Sequence, residues 1–124
     1  MSKGLVMNIE RETLKNNNFR KVLFTGKHSQ VVVMSLKPGE EIGAEVHPKI
    51  DQFFRFEKGQ GYVVMDGTGS TVGAGDVAVV GCGTRHNVTN TSKTKPLKLY
   101  TVYSPPAHKD GVVQKNKEDP ERVP

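Results

Sequence analysis

The chain has 124 residues and a formal net charge of +5, from 18 Lys and Arg against 13 Asp and Glu. This length is typical of one domain, which can bury a core without disulfides, and the lone Cys82 has no partner for one. The basic residues are scattered and seldom lie among aromatic residues, which argues against nucleic-acid binding and favours a solvated basic surface.

The apolar runs are too short to cross a membrane. The longest are VVVM (31–34) and VAVV (77–80), well below the roughly 20 residues that a spanning helix needs. The opening stretch, MSKGLVMNIERE, reaches Glu and Arg before an apolar segment can form, so we predict no signal peptide and a cytoplasmic location.

In chain order, a helical turn is followed by a series of short β-like runs. MNIERETLKNN could hold the helical turn, and the first twenty residues are expected to form an edge segment or to cross to a partner subunit. The β-like runs, each followed by turn residues, are KVLFT, QVVVMSLK, QFFRFEK, YVVMDG, DVAVV and LKLYTVYS. The turns after YVVMDG and DVAVV are predicted at TGS and GCGT. This pattern predicts an all-β fold, an antiparallel sandwich or barrel.

The domain is predicted to span residues 1–124, with a barrel core of about 20–104. YSPP ends the last run, because two prolines cannot donate to a β-ladder. The segment 108–124 is polar and charged, so we expect a tail that lies on the surface or frays.

The stretch EVHPKIDQFF gathers polar side chains toward one interior. Glu45 and His47 are two residues apart, which places them on the same face of a strand. If the chain turns at Pro48 and Lys49, the next strand returns Gln52 to that interior. His86, after GCGTR, is the candidate for a fourth ligand.

These residues lie at the intervals of two motifs of the cupin family, which this chain resembles. Glycines and ligand positions of the first motif fall on Gly39, Glu45, His47, Gln52 and Gly59, and those of the second on Gly75, Gly81, Gly83, His86 and Asn90. Three positions depart from the family residue: Glu45 replaces a His, Gln52 replaces a Glu, and Gly81 replaces a Pro. The resemblance runs from about Val31 to Tyr103.

The resemblance implies a double-stranded β-helix, the cupin jelly-roll barrel, with a metal held by Glu45, His47, Gln52 and His86. Two imidazoles, one carboxylate, one amide and a divalent ion give a formal charge of +1, as in the usual cupin set, because the carboxylate has moved rather than disappeared. These donors suit a divalent transition metal, and Mn, Fe, Zn and Ni all stay open.

Other polar and aromatic residues have less specific interpretations. Possible pocket-lining residues are Phe54, Phe56, Tyr62 and Met65, although core packing explains them as well. His28 and His108 lie outside both motifs and are expected in loops or at strand ends. No separate catalytic residue can be named.

Three functions follow from the resemblance. The first is a metal-dependent enzyme that acts on a small polar substrate such as a sugar or sugar phosphate. Its reaction would be isomerase-like, the label that small single-domain cupins often carry, or that of a ferrous-iron dioxygenase. The second is a non-catalytic cupin that binds a metal or small ligand. The third is a structural relic that only dimerises. We expect a homodimer, with no nucleic-acid or membrane partner.

Overall fold

The computed structural model describes residues 3–124. Met1 and Ser2 lie outside the described residues. They are the first two residues of the predicted domain and of the N-terminal stretch in which we predict no signal peptide. One helix and nine strands follow in chain order: α1 (Ile9–Lys15), β1 (Arg20–Thr25), β2 (Gln30–Leu36), β3 (Asp51–Lys58), β4 (Gln60–Met65), β5 (Thr68–Gly73), β6 (Val77–Val80), β7 (His86–Asn90), β8 (Leu97–Ser104) and β9 (Val113–Gln114).

The strands form two antiparallel sheets with the core between them, as the all-β prediction requires. The larger sheet has the order β6-β3-β8-β2-β1-β9 and the smaller one β5-β4-β7. Alternation on β3 buries Gln52, Phe54 and Phe56 and turns the residues between them outward. The interior of the barrel is therefore apolar at its base and polar where Gln52 enters it.

The short helix α1 packs on the outer face of the larger sheet. The Asn8 side chain caps it by accepting a hydrogen bond from the Arg11 amide at 2.9 Å. Glu10 and Glu12 in its first turn interact favourably with the positive end of the helix dipole. In the described part of the chain, no helix is long and apolar enough to cross a membrane.

Strand β5 replaces the turn predicted at TGS. The turn lies one step earlier, at Asp66 and Gly67, whose φ angles of 47° and 84° suit a tight hairpin. β5 shows no apolar alternation because four of its residues are exposed. The Tyr62 side chain lies over Gly69, where a Cβ atom would come within 1.8 Å of its hydroxyl unless the side chain moved.

Two motif positions have structural roles. Gly59 has a φ of 102°, and a Cβ at this position would lie 2.5 Å from the Pro96 carbonyl oxygen. Asn90 is fully buried, and its amide donates to the carbonyls of Leu36, Lys37 and Lys95 at 2.9–3.1 Å. Both residues hold loops at one end of the barrel rather than a ligand.

Residues 108–124 lie against the barrel, as one of the two alternatives for this segment expects. Strand β9 pairs with β1, and Val112 and Gln114 are 1% and 6% exposed. The segment therefore contributes buried side chains despite its polar composition.

Candidate functional site

Backbone pairing brings Glu45 next to His86. Their amides and carbonyls exchange two hydrogen bonds of 2.9 Å, which form an isolated antiparallel bridge. Two residues on, the His47 carbonyl accepts from the Gly83 amide at 2.8 Å, and the chain then turns at Pro48 and Lys49 as predicted. The irregular segment 40–47 thus lies along β7 and delivers its side chains beside the second motif.

Gln52 and His86 form the inner part of the site. Both are 4% exposed, and the Gln52 Oε1 atom lies 3.2 Å from His86 Nε2. The other end of each side chain is fixed as well: Gln52 Nε2 donates to Thr101 Oγ1 at 3.0 Å, and His86 Nδ1 lies 3.0 Å from the Thr84 carbonyl oxygen.

His86 has an acceptor at each ring nitrogen, the Thr84 carbonyl at Nδ1 and Gln52 Oε1 at Nε2. A neutral imidazole has only one proton for these two contacts, and with that proton on Nδ1 the Nε2 atom carries a lone pair. That lone pair points at Gln52 Oε1, which is also an acceptor while Gln52 Nε2 donates to Thr101. A cation between Nε2 and Oε1 would satisfy both atoms, and a carbonyl on the second ring nitrogen is the usual support of a metal-binding histidine.

Glu45 and His47 form the outer part of the site. Glu45 Oε2 lies 3.2 Å from His47 Nε2, and the two side chains are 35% and 19% exposed. The Nε2 atom itself is buried and makes no hydrogen bond to any described residue, because its contact with the carboxylate lacks the required geometry. A buried ring nitrogen without a hydrogen-bond partner is costly, and a cation bound to it would remove that cost.

The four predicted ligands lie as two pairs, Gln52 with His86 and Glu45 with His47. Each pair is separated by 3.2 Å, close to the roughly 3.0 Å between adjacent ligands of an octahedral ion with bonds of about 2.1 Å. The rings of His47 and His86 lie 5.6 Å apart, centroid to centroid. Over residues 3–124, no three side chains of His, Cys, Asp or Glu converge on one point as a metal cluster, so Glu45, His47 and His86 do not surround a common point in this structure.

The four predicted pocket residues divide between core and surface. Phe54 and Phe56 are buried in the core, where their rings stack at 6.3 Å, and the edge of Phe54 contacts His86. Met65 is partly buried against the core and pairs with His86 across β4 and β7. Tyr62 is 40% exposed on the outer face of β4, so it does not line the interior.

Tyr103, which the sequence did not single out, lies beside the candidate ligands, and His108, which was expected in a loop or at a strand end, lies behind it. Tyr103 is 2% exposed, pairs with Gln52 across β3 and β8, and sets its ring edge against His47 at 6.1 Å. Burial raises the pKa of Tyr103 to about 12, against a smaller opposing effect of Arg20. His108, predicted as a loop residue, contacts the Tyr103 ring at 5.1 Å. Only inward alternation along LKLYTVYS could have indicated Tyr103.

The remaining candidates lie at the surface. His28 is exposed in the turn between β1 and β2, and Lys49 and Cys82 are exposed near the mouth of the barrel. Arg55 lies on the outer face of β3, with its Nε 3.1 Å from a Glu57 oxygen.

Comparison with known proteins agrees with the two motifs and the barrel. The cupin domain family matches residues 32–103. The uncharacterized protein YrkC of Bacillus subtilis is 49% identical, over 94% of this chain and 66% of that protein. An uncharacterized protein of Acanthamoeba polyphaga mimivirus is 43% identical over 87% of this chain and 69% of its own length. The chain thus spans about two thirds of these relatives.

A solved structure extends the likeness to the backbone. The crystal structure of BH2720 from Bacillus halodurans is 44% identical, with a TM-score of 0.89 over 91% of this chain and 89% of that one. The motif intervals, the two-sheet barrel and the family match over more than half of the residues lead to one conclusion: the chain is a member of the cupin family.

Proposed function

We propose that this cupin is a metal-dependent enzyme acting on a small polar molecule such as a sugar or sugar phosphate, in an isomerase-like reaction. Glu45, His47, Gln52 and His86 would hold the divalent ion. The observation that carries the proposal is the buried pair Gln52 Oε1 and His86 Nε2, which lie 3.2 Å apart while the other end of each side chain is held by a hydrogen bond.

The residues around the pairs have separable tasks. The Thr84 carbonyl and the Thr101 hydroxyl hold the inner metal ligands, His86 and Gln52, so their side chains need little reorganisation to bind an ion. Glu45 and His47 are the more exposed donors and form the side from which a substrate enters. A bound divalent ion supplies Lewis-acid polarisation of a substrate oxygen, which carbonyl–hydroxyl rearrangements need.

Metal analysis of the purified protein tests the proposal. After removal of metal and reloading with Mn, Fe, Zn or Ni, we expect close to one ion per chain in the wild type and almost none in Glu45→Ala or His86→Ala. His28→Ala is the matched control, because it removes an exposed imidazole far from the site, and it should load like the wild type.

The outcomes separate the candidate functions. Equal, near-zero loading of all proteins would overturn the metal site. If the wild type loads a metal, assays of aldose–ketose interconversion and of oxygen consumption distinguish an isomerase from a ferrous-iron dioxygenase. Loading without turnover would favour a cupin that binds a metal or ligand without catalysis.

A further inference from the structure

The segment after β8 brings two titratable side chains, those of His108 and Glu121, back to the barrel near the candidate ligands. Gln30 anchors this return: its Nε2 donates to the His108 carbonyl at 2.8 Å, and its Oε1 accepts from the amides of Ala107 and His108 at 3.1 and 3.0 Å. Gln30 is fully buried, so the backbone at His108 is firmly held. The imidazole of His108 therefore has a fixed position at the barrel interior.

His108 links Tyr103 to Glu121. Its Nε2 atom lies 3.3 Å from the Tyr103 hydroxyl, and its Nδ1 atom makes a short contact with Glu121 Oε1. The carboxylate can only accept, so Nδ1 carries a proton and Nε2 can accept from the hydroxyl. The imidazole thus presents one N–H donor toward the position of the Glu121 carboxylate.

Arg20 presents a buried guanidinium to the same carboxylate. Arg20 is 8% exposed, and one of its terminal nitrogens hydrogen-bonds Gln114 Oε1. Its Nε atom is buried and has no hydrogen-bond partner among the described residues. Its ion pair with Glu121 is long, 3.8 Å from Arg20 Nη1 to Glu121 Oε1. A buried guanidinium with an unused donor is costly unless an anion pairs with it.

Glu121 fills this position from the solvent side. Its side chain is 43% exposed, in contrast to 10% for Arg20 and 15% for His108. Exposed carboxylates contribute little to stability because water screens them. A tethered carboxylate therefore covers a cradle of buried donors, and a free oxyanion could replace it with better geometry.

The cradle shares its interior with the candidate metal ligands. Tyr103 contacts both groups, since its ring edge lies against His47 and its hydroxyl near His108. Glu45 is also close enough to act on the pKa values of Tyr103 and His108, raising both by Coulomb interaction, although burial has the largest effect on each. The cradle and the candidate ligands are therefore neighbours, with Tyr103 between them.

We propose that Arg20 and His108, with His108 oriented by the Tyr103 hydroxyl, form an oxyanion-binding subsite, occupied by Glu121 in the free protein, for the phosphate or carboxylate group of the substrate. The assignment of that group to a substrate rests on the proposed function. The planar guanidinium suits both oxyanions, because its N–H groups bind two oxygens at once.

Binding of inorganic phosphate and of acetate to the metal-free protein tests the subsite. Titration calorimetry gives the affinity, and the His108 imidazole resonances show where the anion binds. We expect Glu121→Gln to bind the preferred anion about fivefold more tightly than the wild type, the factor for ~1 kcal/mol of lost competition. The stronger of the two anions identifies the substrate group.

Matched variants separate the subsite from general charge effects. Glu118→Gln makes the same charge change at an exposed position of the same segment and should bind like the wild type. His108→Gln in the Glu121→Gln background should lose about tenfold in affinity, as expected for a lost hydrogen bond to a charged group. Arg20→Lys should also weaken binding, and His108→Gln serves alone if the Arg20 variant does not fold.

Two results would overturn the subsite: equal gains in Glu121→Gln and Glu118→Gln, or no perturbation of His108 by either anion in Glu121→Gln. The metal-free assay keeps this proposal distinct from the metal site. Anion binding by a chain that never loads metal would remove only the proposed function, and metal loading without a Glu121→Gln effect would remove only the subsite.

Discussion

The backbones of Glu45 and His86 are hydrogen-bonded to each other in both directions, at 2.9 Å each. This antiparallel bridge places their side chains on the same face. Residues 41 positions apart in the sequence are thereby fixed side by side, before any ion binds. The candidate site is thus preorganised by main-chain pairing, and its support can be tested separately from its ligands.

Thr101→Val tests that support. Valine keeps the shape of this fully buried residue but removes the hydroxyl that accepts from Gln52 Nε2. We expect metal affinity to fall by about 10–100-fold and the free energy of unfolding to fall by about 1–3 kcal/mol, because a buried donor is left unpaired. Competition with a metal-binding dye measures the first and urea unfolding the second. Thr71→Val, at an exposed position of β5, should change neither, and unaltered metal affinity in Thr101→Val would assign Thr101 to packing alone.

Gln52→Glu tests the idea that the carboxylate of the ligand set has moved to Glu45. A second carboxylate at this 4% exposed position should tighten binding of a divalent ion and destabilise the metal-free chain by several kcal/mol, since a buried charge lacks a cation. The double variant Glu45→His with Gln52→Glu restores the usual cupin donors and should bind metal with a smaller loss of metal-free stability. Thermal unfolding with and without metal measures both effects. If the single and double variants are equally stable without metal, the two positions are not electrostatically coupled.

From the apolar residues on the outer face of the larger sheet we predict a homodimer. Five apolar residues lie side by side in register across this sheet: Val79, Phe53, Val102, Val31 and Phe24. Val79 is 64% exposed on β6, an edge strand of the larger sheet, and native proteins usually cover such edges. We expect a second copy of the chain to do so, and sedimentation velocity should show a dimer that Val79→Glu weakens. Thr71→Glu on the smaller sheet is the control, and a monomeric wild type at micromolar concentration would contradict the prediction.

Local sequence patterns predicted the parts of the site that depend on strand alternation and motif spacing. Alternation along QFFRFEK placed Gln52 with Phe54 and Phe56 in the interior, where all three are buried. The return of Gln52 to the interior was made conditional on a turn at Pro48 and Lys49, and the structure has a turn at these two residues. These features need only neighbouring residues, so the sequence contains them directly.

Features that depend on distant contacts could not be predicted in this way. His108 has no local signal, since Gln30, its backbone anchor, lies 78 residues earlier. β5 lacks alternation because it is an edge strand of the smaller sheet with four exposed residues, so its sequence resembles a turn. Residues 108–124 resemble a solvated tail, although β9 and Val112 fix the segment to the barrel.

His108 should make the stability of the fold depend on pH in the acid range. Burial, with a further effect of Arg20, lowers the pKa of His108 below its usual 6.5, against opposing effects of Glu121 and Glu45. The unfolded chain therefore takes up the proton first, and stability is lost as the pH falls below 6.5 toward the folded pKa. Urea unfolding at pH 7.5 and 5.5 should show a smaller loss in His108→Gln than in the wild type. His28→Gln, at an exposed position, should keep the full loss, and an unchanged pH dependence in His108→Gln would contradict the prediction.

Tyr103 should make the stability of the fold fall as the pH rises in the alkaline range. Its pKa is raised from 10.0 to about 12, chiefly by burial, so the folded protein retains a proton that the unfolded chain has lost. Stability is then complete below pH 10 and falls as the pH rises toward 12, by as much as about 3 kcal/mol. Tyr103→Phe removes the hydroxyl and should flatten this fall, while other alkaline groups titrate equally in both proteins. Unfolding midpoints at pH 9 and 11 measure the difference, and Tyr100→Phe, on the outer face of β8, is the matched control. Equal alkaline losses in Tyr103→Phe and the wild type would mean that the phenol already ionises freely in the fold, and the barrel interior at this point would have to be wet.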